Sequence, residues 1–227
     1  LVVAKEEGLE NYLIYDDYQK KSYIDHIFPL NTTMEELYKN LHQEYGDFIH
    51  GAYEIVSKKE FGSVYEVTFR REGAILDNGE KKSLIIEKKF TVKDHSQMIL
   101  ADIKLINNTG KKLKFKYGTE LNFGLLAGNS HDRYYLSEDK ELGKPVLNTK
   151  GEINTGKHIA MVDEYTAFEI HLKSSEIANI WYFTVETISL TEAGFERVYQ
   201  SSDIIYTWDV ELDKEWKVTL ENKIIDR

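Results

Sequence analysis

The feature that most constrains the fold is an alternation of apolar and polar residues through KLKFKYGTELNFGLL, residues 112–126. A period of two places successive side chains on opposite faces of an extended strand. One face would carry Leu113, Phe115, Tyr117, Thr119, Leu121, Phe123 and Leu125. A strand over residues 113–125 is about twice the usual length of ~5–6 residues, which indicates a large, wide sheet.

Further segments alternate in the same way and predict strands: Val64–Arg70, Ser83–Val92, Met98–Asn107, Thr166–Lys173, Ile180–Leu190, Ile204–Leu212 and Trp216–Ile225. Asp77-Asn78-Gly79 and Asn107–Gly110 have the composition of hairpin turns. Alternation, rather than solid Val/Ile runs, favours antiparallel sheets with one polar face. We therefore predict an all-β fold, a large two-sheet antiparallel β-sandwich that forms a single domain over residues 1–227.

A helix is predicted at one place. Thr33-Met34-Glu35-Glu36 matches a capping box, in which the Thr hydroxyl and the Glu carboxylate each bind the other's free backbone amide. Apolar residues follow at helical spacing and Gly46 is a natural stop, so we expect one short helix near residues 33–45. Residues 128–156 are polar and contain several glycines, and we expect a long irregular loop there.

Composition limits the possible partners. The formal net charge is −10, from 29 Lys and Arg against 39 Asp and Glu. Nucleic acids and anionic membranes bind basic surfaces, so this balance argues against both. The chain has no cysteine, which excludes disulfides, thiolate metal sites and cysteine nucleophiles and argues against a small secreted scaffold. The expected location is cytoplasmic rather than secreted. No apolar run reaches the ~20 residues that span a bilayer.

The densest group of polar side chains lies in YDDYQKKSYIDHIFP, residues 15–29, and includes Asp16, Asp25 and His26. An aspartate can orient an imidazole, and paired carboxylates can act in acid–base catalysis or bind Ca²⁺. The regular ligand spacing of a calcium loop is missing, however. The interpretation we favour is a structural or domain-interface network of Asp16, Asp25 and His26.

A second polar group, residues 129–135, contains His131 beside Asp132 but no third ligand at a fixed spacing. The motifs of serine hydrolases, zinc peptidases and phosphate-binding loops are also missing. We therefore predict no cofactor, no metal and no catalytic residue in this chain.

Aromatic residues in strands can form a core or a binding surface. Sugars stack on aromatic rings while carboxylates and amides bind their hydroxyls, and Glu120 and Asn122 share the polar face of the long strand. Trp181 and Tyr182 alternate, so at most one of the two should face the core. Burial is the commoner role of a tryptophan in a strand. Our candidate carbohydrate-binding residues are Glu120, Asn122, Trp181 and Trp208.

The stretch QSSDIIYTWDVEL, residues 200–212, separates two faces most sharply. We expect Asp203 and Asp209 to face solvent or a neighbouring domain. The opposite face should be buried between the sheets, and it carries Ile204, Tyr206, Trp208, Val210 and Leu212.

Four segments in order resemble the C-terminal domain of glycoside hydrolase family 57 enzymes, which include α-amylases and 4-α-glucanotransferases: YDDYQKKSYIDHIF, ELNFGLLAG, TEAGFERVYQSS and IIYTWDVEL. The resemblance extends from about Leu13 to Leu212 and implies a β-supersandwich of the galactose-mutarotase-like type. It also implies that the chain is the C-terminal part of a longer enzyme whose catalytic carboxylates lie in another domain. The arginine of the family's first motif is Lys20 here, which keeps the charge but loses the bidentate geometry.

The resemblance thus predicts a non-catalytic domain that supports an N-terminal catalytic domain of the same polypeptide, with α-glucan oligosaccharide as a further partner. The alternative is a stand-alone sugar-modifying enzyme of the mutarotase or epimerase type. That chemistry needs a His acid and a Glu base on the same sugar. The available pairs are His26, His131 or His171 with Glu120, and the sequence does not fix their distances.

Overall fold

The structure, a computed structural model, describes residues 7–77, 79–191 and 194–227. Its strands are β1 Ile24–Phe28, β2 Glu54–Phe61, β3 Val64–Asp77, β4 Glu80–Lys93, β5 Met98–Ile106, β6 Leu113–Phe123, β7 Arg133–Leu136, β8 Gly151–Asp163, β9 Phe168–Thr191, β10 Gly194–Leu212 and β11 Glu215–Asp226. A 3-10 helix (Leu9–Tyr12) and one α-helix, α1 (Met34–Tyr38), are the described helices. Neither is long and apolar enough to cross a membrane.

The strands form one antiparallel series that folds back on itself into two layers. Neighbours follow the order β1-β6-β10-β9-β11-β5-β4-β3-β2, and β8 joins β7 to β9. Leu84 and Ile103, on β4 and β5, belong to the same buried cluster as Phe115 and Leu121 on β6. The core therefore lies between the layers, and the predicted antiparallel β-sandwich is confirmed.

Several predicted strands are longer than expected. The segments predicted over residues 166–173 and 180–190 form a single strand, β9, because residues 174–179 between them stay extended. Ser174 pairs with β11, and Ala178 pairs with Gly156 at a bulge of β8. The β5–β6 connection is not the predicted hairpin, since β5 pairs with β4 and β11 whereas β6 pairs with β1 and β10. It passes from one layer to the other. Asn78, in the other predicted turn, lies outside the described residues.

The helix and the loop also differ from the prediction. The capping box is present, with Glu36 N–H donating to Thr33 Oγ1 and Thr33 N–H donating to the Glu36 carboxylate. The helix ends at Tyr38 rather than near residue 45, because Asn40 takes a left-handed backbone conformation with φ 52°. The loop expected over residues 128–156 contains β7 and the beginning of β8, and β1 and β2 were also not predicted.

The central parts of β6, residues 115–121, and of β10, residues 201–208, are buried on both faces. The predicted inner face of β10 is confirmed, and Trp208 is only 7% exposed. Asp209 is exposed, but Asp203 is fully buried, so its predicted exposure was wrong. Trp181 and Tyr182 are both buried although they point to opposite sides. The cause is a second, smaller apolar cluster on the outer face under α1, formed by Phe28, Leu37, Trp181, Phe183 and Ile205.

Candidate functional site

A cluster of ionisable side chains lies on the outer face of β1, β6 and β10, beside the apolar cluster under α1. In the strand register Ile24 lies opposite Glu120, and Ile205 lies on the other side of Glu120. Cross-strand neighbours share a face, and so do residues two apart in one strand. His26 of β1, Glu120 of β6 and Asp203 of β10 therefore all point outward. We call the following residues the polar cluster: Tyr18, Lys20, His26, Glu44, Glu120 and Asp203.

Glu120 is the centre of the polar cluster. Its Oε2 accepts a hydrogen bond from the Tyr18 hydroxyl at 2.5 Å and lies 3.0 Å from His26 Nε2. Lys20 Nζ approaches the same oxygen at 3.4 Å. Among the described residues, Glu120 Oε1 has no hydrogen-bond partner. All the contacts of this carboxylate therefore fall on one oxygen.

Lys20 and Asp203 form the second part of the cluster. Lys20 Nζ lies 2.9 Å from Asp203 Oδ2 and donates to the Tyr18 hydroxyl at 2.9 Å. Asp16 lies further out, 3.8 Å from the same ammonium. The side chain of Lys20 is only 11% exposed, although the residue lies in an irregular segment.

Burial and neighbouring charges together set the pKa values of these groups. Burial would lower the pKa of His26, but hydrogen bonds with Glu120 and Glu44 outweigh it and raise that pKa to about 9. Burial raises the pKa of Asp203 to about 7, with the Glu120 charge as a second cause. Burial would raise the pKa of Glu120 as well, but its bonds with His26 and Lys20 lower it. His26 and Glu120 are consequently a charged pair at neutral pH.

The three candidate histidines for acid–base chemistry have different surroundings. His26 contacts Glu120 directly, and both residues have no exposed surface. His131 is exposed in the connection before β7. His171 hydrogen-bonds to His158 and Glu169. Within the described part of the chain, only the His26–Glu120 pair is therefore assembled.

Asp25 lies next to His26 in the sequence but faces the opposite layer. Its carboxylate accepts hydrogen bonds from Lys88 Nζ at 2.6 Å, from the Tyr117 hydroxyl at 2.6 Å and from the Tyr53 hydroxyl. Asp25 and His26 thus belong to different networks, on opposite faces of β1. Asp16, the third residue of the predicted network, stands at the edge of the polar cluster.

The candidate carbohydrate-binding residues are not gathered on one open surface. Glu120 is at the centre of the polar cluster, and Asn122 Nδ2 donates to Ser201 and Asp203 beside it. Trp181 is buried under α1. Trp208 lies on the inner face, where its ring stacks between Tyr117 and Tyr206 with centroids 5.9 and 6.0 Å away. Carbohydrate binding by these residues stays a prediction, and the two tryptophans would have no free ring face for it.

The edge of Trp208 does reach a surface groove of about 270 Å³. The groove lies where β9, β10 and β11 meet, and Trp216 forms part of its wall with half-buried surface. Trp208 Nε1 has no hydrogen-bond partner among the described residues. The other lining residues are Glu176, Ile177, Ala178, Asn179, Thr207 and Asp209.

Sequence reasoning missed Lys88, Tyr53, Glu44 and the burial of Asp203. One of them left a readable signal: Lys88 occupies the same strand parity as Ile86 and Phe90, so it interrupts an otherwise apolar face of β4. A lysine at such a position needs a buried anion as its partner. Tyr53 and Glu44 lie in irregular segments, where no periodicity indicates direction.

Comparison with known proteins first defines the class of fold. The crystal structure of a galactose mutarotase-like protein from Clostridium acetobutylicum matches with a TM-score of 0.59, over 92% of this chain and 78% of that one, at 8% identity. At this identity the likeness concerns the fold alone. The chain is a β-sandwich of the galactose-mutarotase-like class.

Sequence comparison then defines the family. The family model "Alpha-amylase/4-alpha-glucanotransferase, C-terminal" matches residues 1–220, and the chain belongs to that family. α-Amylase 1 of Dictyoglomus thermophilum is 31% identical over 96% of this chain. The crystal structure of the 4-α-glucanotransferase of Thermococcus litoralis matches over 96% of it, with a TM-score of 0.70 and 20% identity. The chain spans 30% and 29% of the lengths of these two proteins.

Proposed function

We propose that residues 1–227 form a single non-catalytic domain of a longer α-glucan-active enzyme, an α-amylase or a 4-α-glucanotransferase. Its main partner would be a catalytic domain that precedes it in the same polypeptide. Support comes from the family match and from relatives that are named for those two activities. Each of these relatives is several times longer than this chain.

The observation that carries the non-catalytic assignment is the state of the His26–Glu120 pair. An acid and a base for sugar epimerisation must both reach the sugar. His26 and Glu120 have no exposed surface and lie 3.0 Å apart, so each is the other's partner. Lys20 and Tyr18 cover the same carboxylate oxygen. This arrangement suits a structural ion pair better than a mutarotase or epimerase site.

We further propose that α-glucan binds in the groove beside Trp216. The half-buried ring of Trp216 offers an apolar surface to the C–H face of a glucose unit. The exposed carboxylate of Asp209, on the same groove, would bind its hydroxyls. Lys116 Nζ, 2.5 Å from Asp209 Oδ1, would hold that carboxylate in place. A few polar groups around an apolar surface are the usual composition of a small-molecule site.

The test is a titration of this chain with maltoheptaose, followed by tryptophan fluorescence. We expect a saturable change that Trp216→Ala abolishes. Trp181→Phe is the matched control, because it removes a buried indole outside the groove and should leave the change intact. Release of reducing sugar and mutarotation of α-glucose are measured in parallel, and neither should exceed the rate without protein.

The outcomes separate the two parts of the proposal. Accelerated mutarotation that Glu120→Gln abolishes would overturn the non-catalytic assignment. No fluorescence change at millimolar maltoheptaose would overturn the glucan site and leave the accessory role. A change that Trp181→Phe abolishes but Trp216→Ala preserves would place binding under α1 instead.

A further inference from the structure

Three side chains with metal-binding atoms converge where the segment after α1 meets β1. His26 projects from β1, and His42 and Glu44 come from the segment that joins α1 to β2. The ligand atoms of all three lie within 4.8 Å of one another. His26 Nδ1 and Glu44 Oε2 are 3.1 Å apart. Two ligands of one tetrahedral ion, each about 2.0 Å from it, are separated by roughly 3.3 Å.

The first two ligands are fixed by partners outside the site. His26 Nε2 lies 3.0 Å from Glu120 Oε2, so the ring nitrogen away from the site is held by a carboxylate. The other oxygen of Glu44, Oε1, accepts hydrogen bonds from the backbone N–H groups of Ile27 at 2.6 Å and Gly46 at 3.3 Å. Metal-binding histidines typically have such a carboxylate partner, and metal-binding carboxylates are themselves hydrogen-bonded.

The third ligand has a buried nitrogen that lacks a partner. His42 Nδ1 is inaccessible to solvent and forms no hydrogen bond among the described residues. The ring packs edge-on against Phe28 and His26, with centroids 5.5 and 6.2 Å away. Buried polar atoms of side chains are nearly always paired, and a metal ion bound at this nitrogen would satisfy it.

We propose that His26, His42 and Glu44 bind one Zn²⁺ ion, which would displace the proton that His26 Nδ1 otherwise donates to Glu44. Two imidazoles and one carboxylate are a common donor set for Zn²⁺, whereas Ca²⁺ and Mg²⁺ take oxygen ligands. The ion would connect the segment after α1 to β1, next to the polar cluster. The sequence predicted no metal because the ligands are divided between β1 and an irregular segment, with no regular spacing.

The competing arrangement has no metal. His26 would then be held by Glu44 and Glu120 through hydrogen bonds alone, and His42 would be a packing residue. The two arrangements differ in what His42 does, since the hydrogen-bonded form does not use its free nitrogen. Substitution of His42 therefore distinguishes them.

The experiment uses the whole chain after treatment with a chelator. Zn²⁺ is titrated in competition with a chromophoric chelator, and Co²⁺ is added separately to record its visible d–d bands. We expect one Zn²⁺ per chain and the intense bands of four-coordinate Co²⁺. His42→Ala should weaken Zn²⁺ binding by more than the roughly 10–100-fold that loss of an outer partner costs, and should abolish the Co²⁺ bands. His50→Ala, an exposed histidine of the same segment, is the control and should change neither.

Two results would overturn the proposal. One is the absence of Zn²⁺ binding by the unsubstituted chain at micromolar metal. The other is equal weakening by His42→Ala and His50→Ala, which would indicate adventitious binding to surface histidines. The far-UV circular dichroism of metal-free His42→Ala should match that of the unsubstituted chain, because His42 lies outside the helices and strands. Glu44→Gln, which keeps the shape of the ligand but removes its charge, should also weaken Zn²⁺ binding.

Discussion

Two buried carboxylates on neighbouring strands, those of Asp25 and Glu120, are stabilised in different ways. Asp25, on β1, faces the space between the layers, and Glu120, on β6, faces outward. Asp25 uses both oxygens: Oδ1 accepts from Tyr117, and Oδ2 accepts from Lys88 and Tyr53. Lys88 comes from β4 in the opposite layer, so this centre connects the two layers.

Glu120 has as many partners but uses them unevenly. Tyr18, Lys20 and His26 all contact Oε2, and Oε1 contacts none of the described residues. Moreover, Lys20 and His26 each have a second carboxylate, Asp203 and Glu44 respectively. The comparison indicates that Asp25 depends on a single cation, whereas the outer cluster shares its charges among several groups. Removal of one charged side chain should consequently lower the free energy of unfolding more at the Asp25 centre than in the cluster around Glu120.

The largest loss of stability is expected for Lys88→Met. The substitution keeps the apolar length of the side chain but leaves Asp25 as a buried anion without its cation. Breaking a buried ion pair in this way typically destabilises a protein by about 3–5 kcal/mol. This loss is measured as the difference in unfolding free energy between the two proteins in urea.

Lys89→Met is the control for that substitution. Lys89 pairs with Asp102 at 2.9 Å, but both side chains are about 40% exposed. An exposed pair contributes roughly 0–1 kcal/mol. Similar losses for Lys88→Met and Lys89→Met would mean that Asp25 is stabilised by the two tyrosines alone.

A smaller effect is expected for Glu120→Gln. The amide can still accept a hydrogen bond from Tyr18, Lys20 keeps Asp203, and His26 keeps Glu44. We expect a loss of about 1–3 kcal/mol, the usual range when a buried polar group loses a partner. Urea unfolding of Glu120→Gln and Asp25→Asn, measured together, compares the two centres directly. A loss for Glu120→Gln as large as that for Lys88→Met would contradict the idea that the outer cluster shares its charges.

The same two centres show what the sequence could predict. Alternation in β10 predicted that Trp208 faces the core, because one face of a paired strand must be buried. The predicted exposure of Asp203 was wrong, because alternation separates the two faces of a strand but does not show whether other segments cover the second face. Here α1 and the segment carrying Tyr18 and Lys20 cover it, and irregular segments have no period to read.

The candidate site was predictable only in part. The proximity of Asp16, Asp25 and His26 in the sequence suggested one network. Asp25 and His26 are consecutive residues of β1, however, so their side chains point to opposite faces. The family resemblance identified the fold and the homologous domain. It could not indicate the His26–Glu120 contact, which depends on strand register between β1 and β6.

A third polar centre, formed by His158, His171 and Glu169, has no buried ion pair and should respond to pH differently. His158 Nδ1 accepts a hydrogen bond from the backbone N–H of Glu138 at 3.0 Å, so its Nε2 carries the proton and donates to His171 Nδ1 at 2.9 Å. His171 Nε2 then donates to Glu169 at 2.7 Å. This directional chain requires a neutral His158. Burial lowers the pKa of His158, consistent with that requirement.

The smallest effect is therefore a pH dependence. Between its usual pKa of about 6.5 and its lowered value in the folded state, His158 binds a proton only when the chain unfolds, so stability should fall as the pH drops through about 6.5. His158→Asn supplies an amide oxygen that can accept the Glu138 N–H but does not titrate. It should reduce the slope of unfolding free energy against pH by at most about 1.4 kcal/mol per pH unit. His50→Ala, at an exposed position, should leave the slope unchanged. An unchanged slope in His158→Asn would mean that the His158–His171 contact persists on protonation, and that this centre tolerates charge as the outer cluster does.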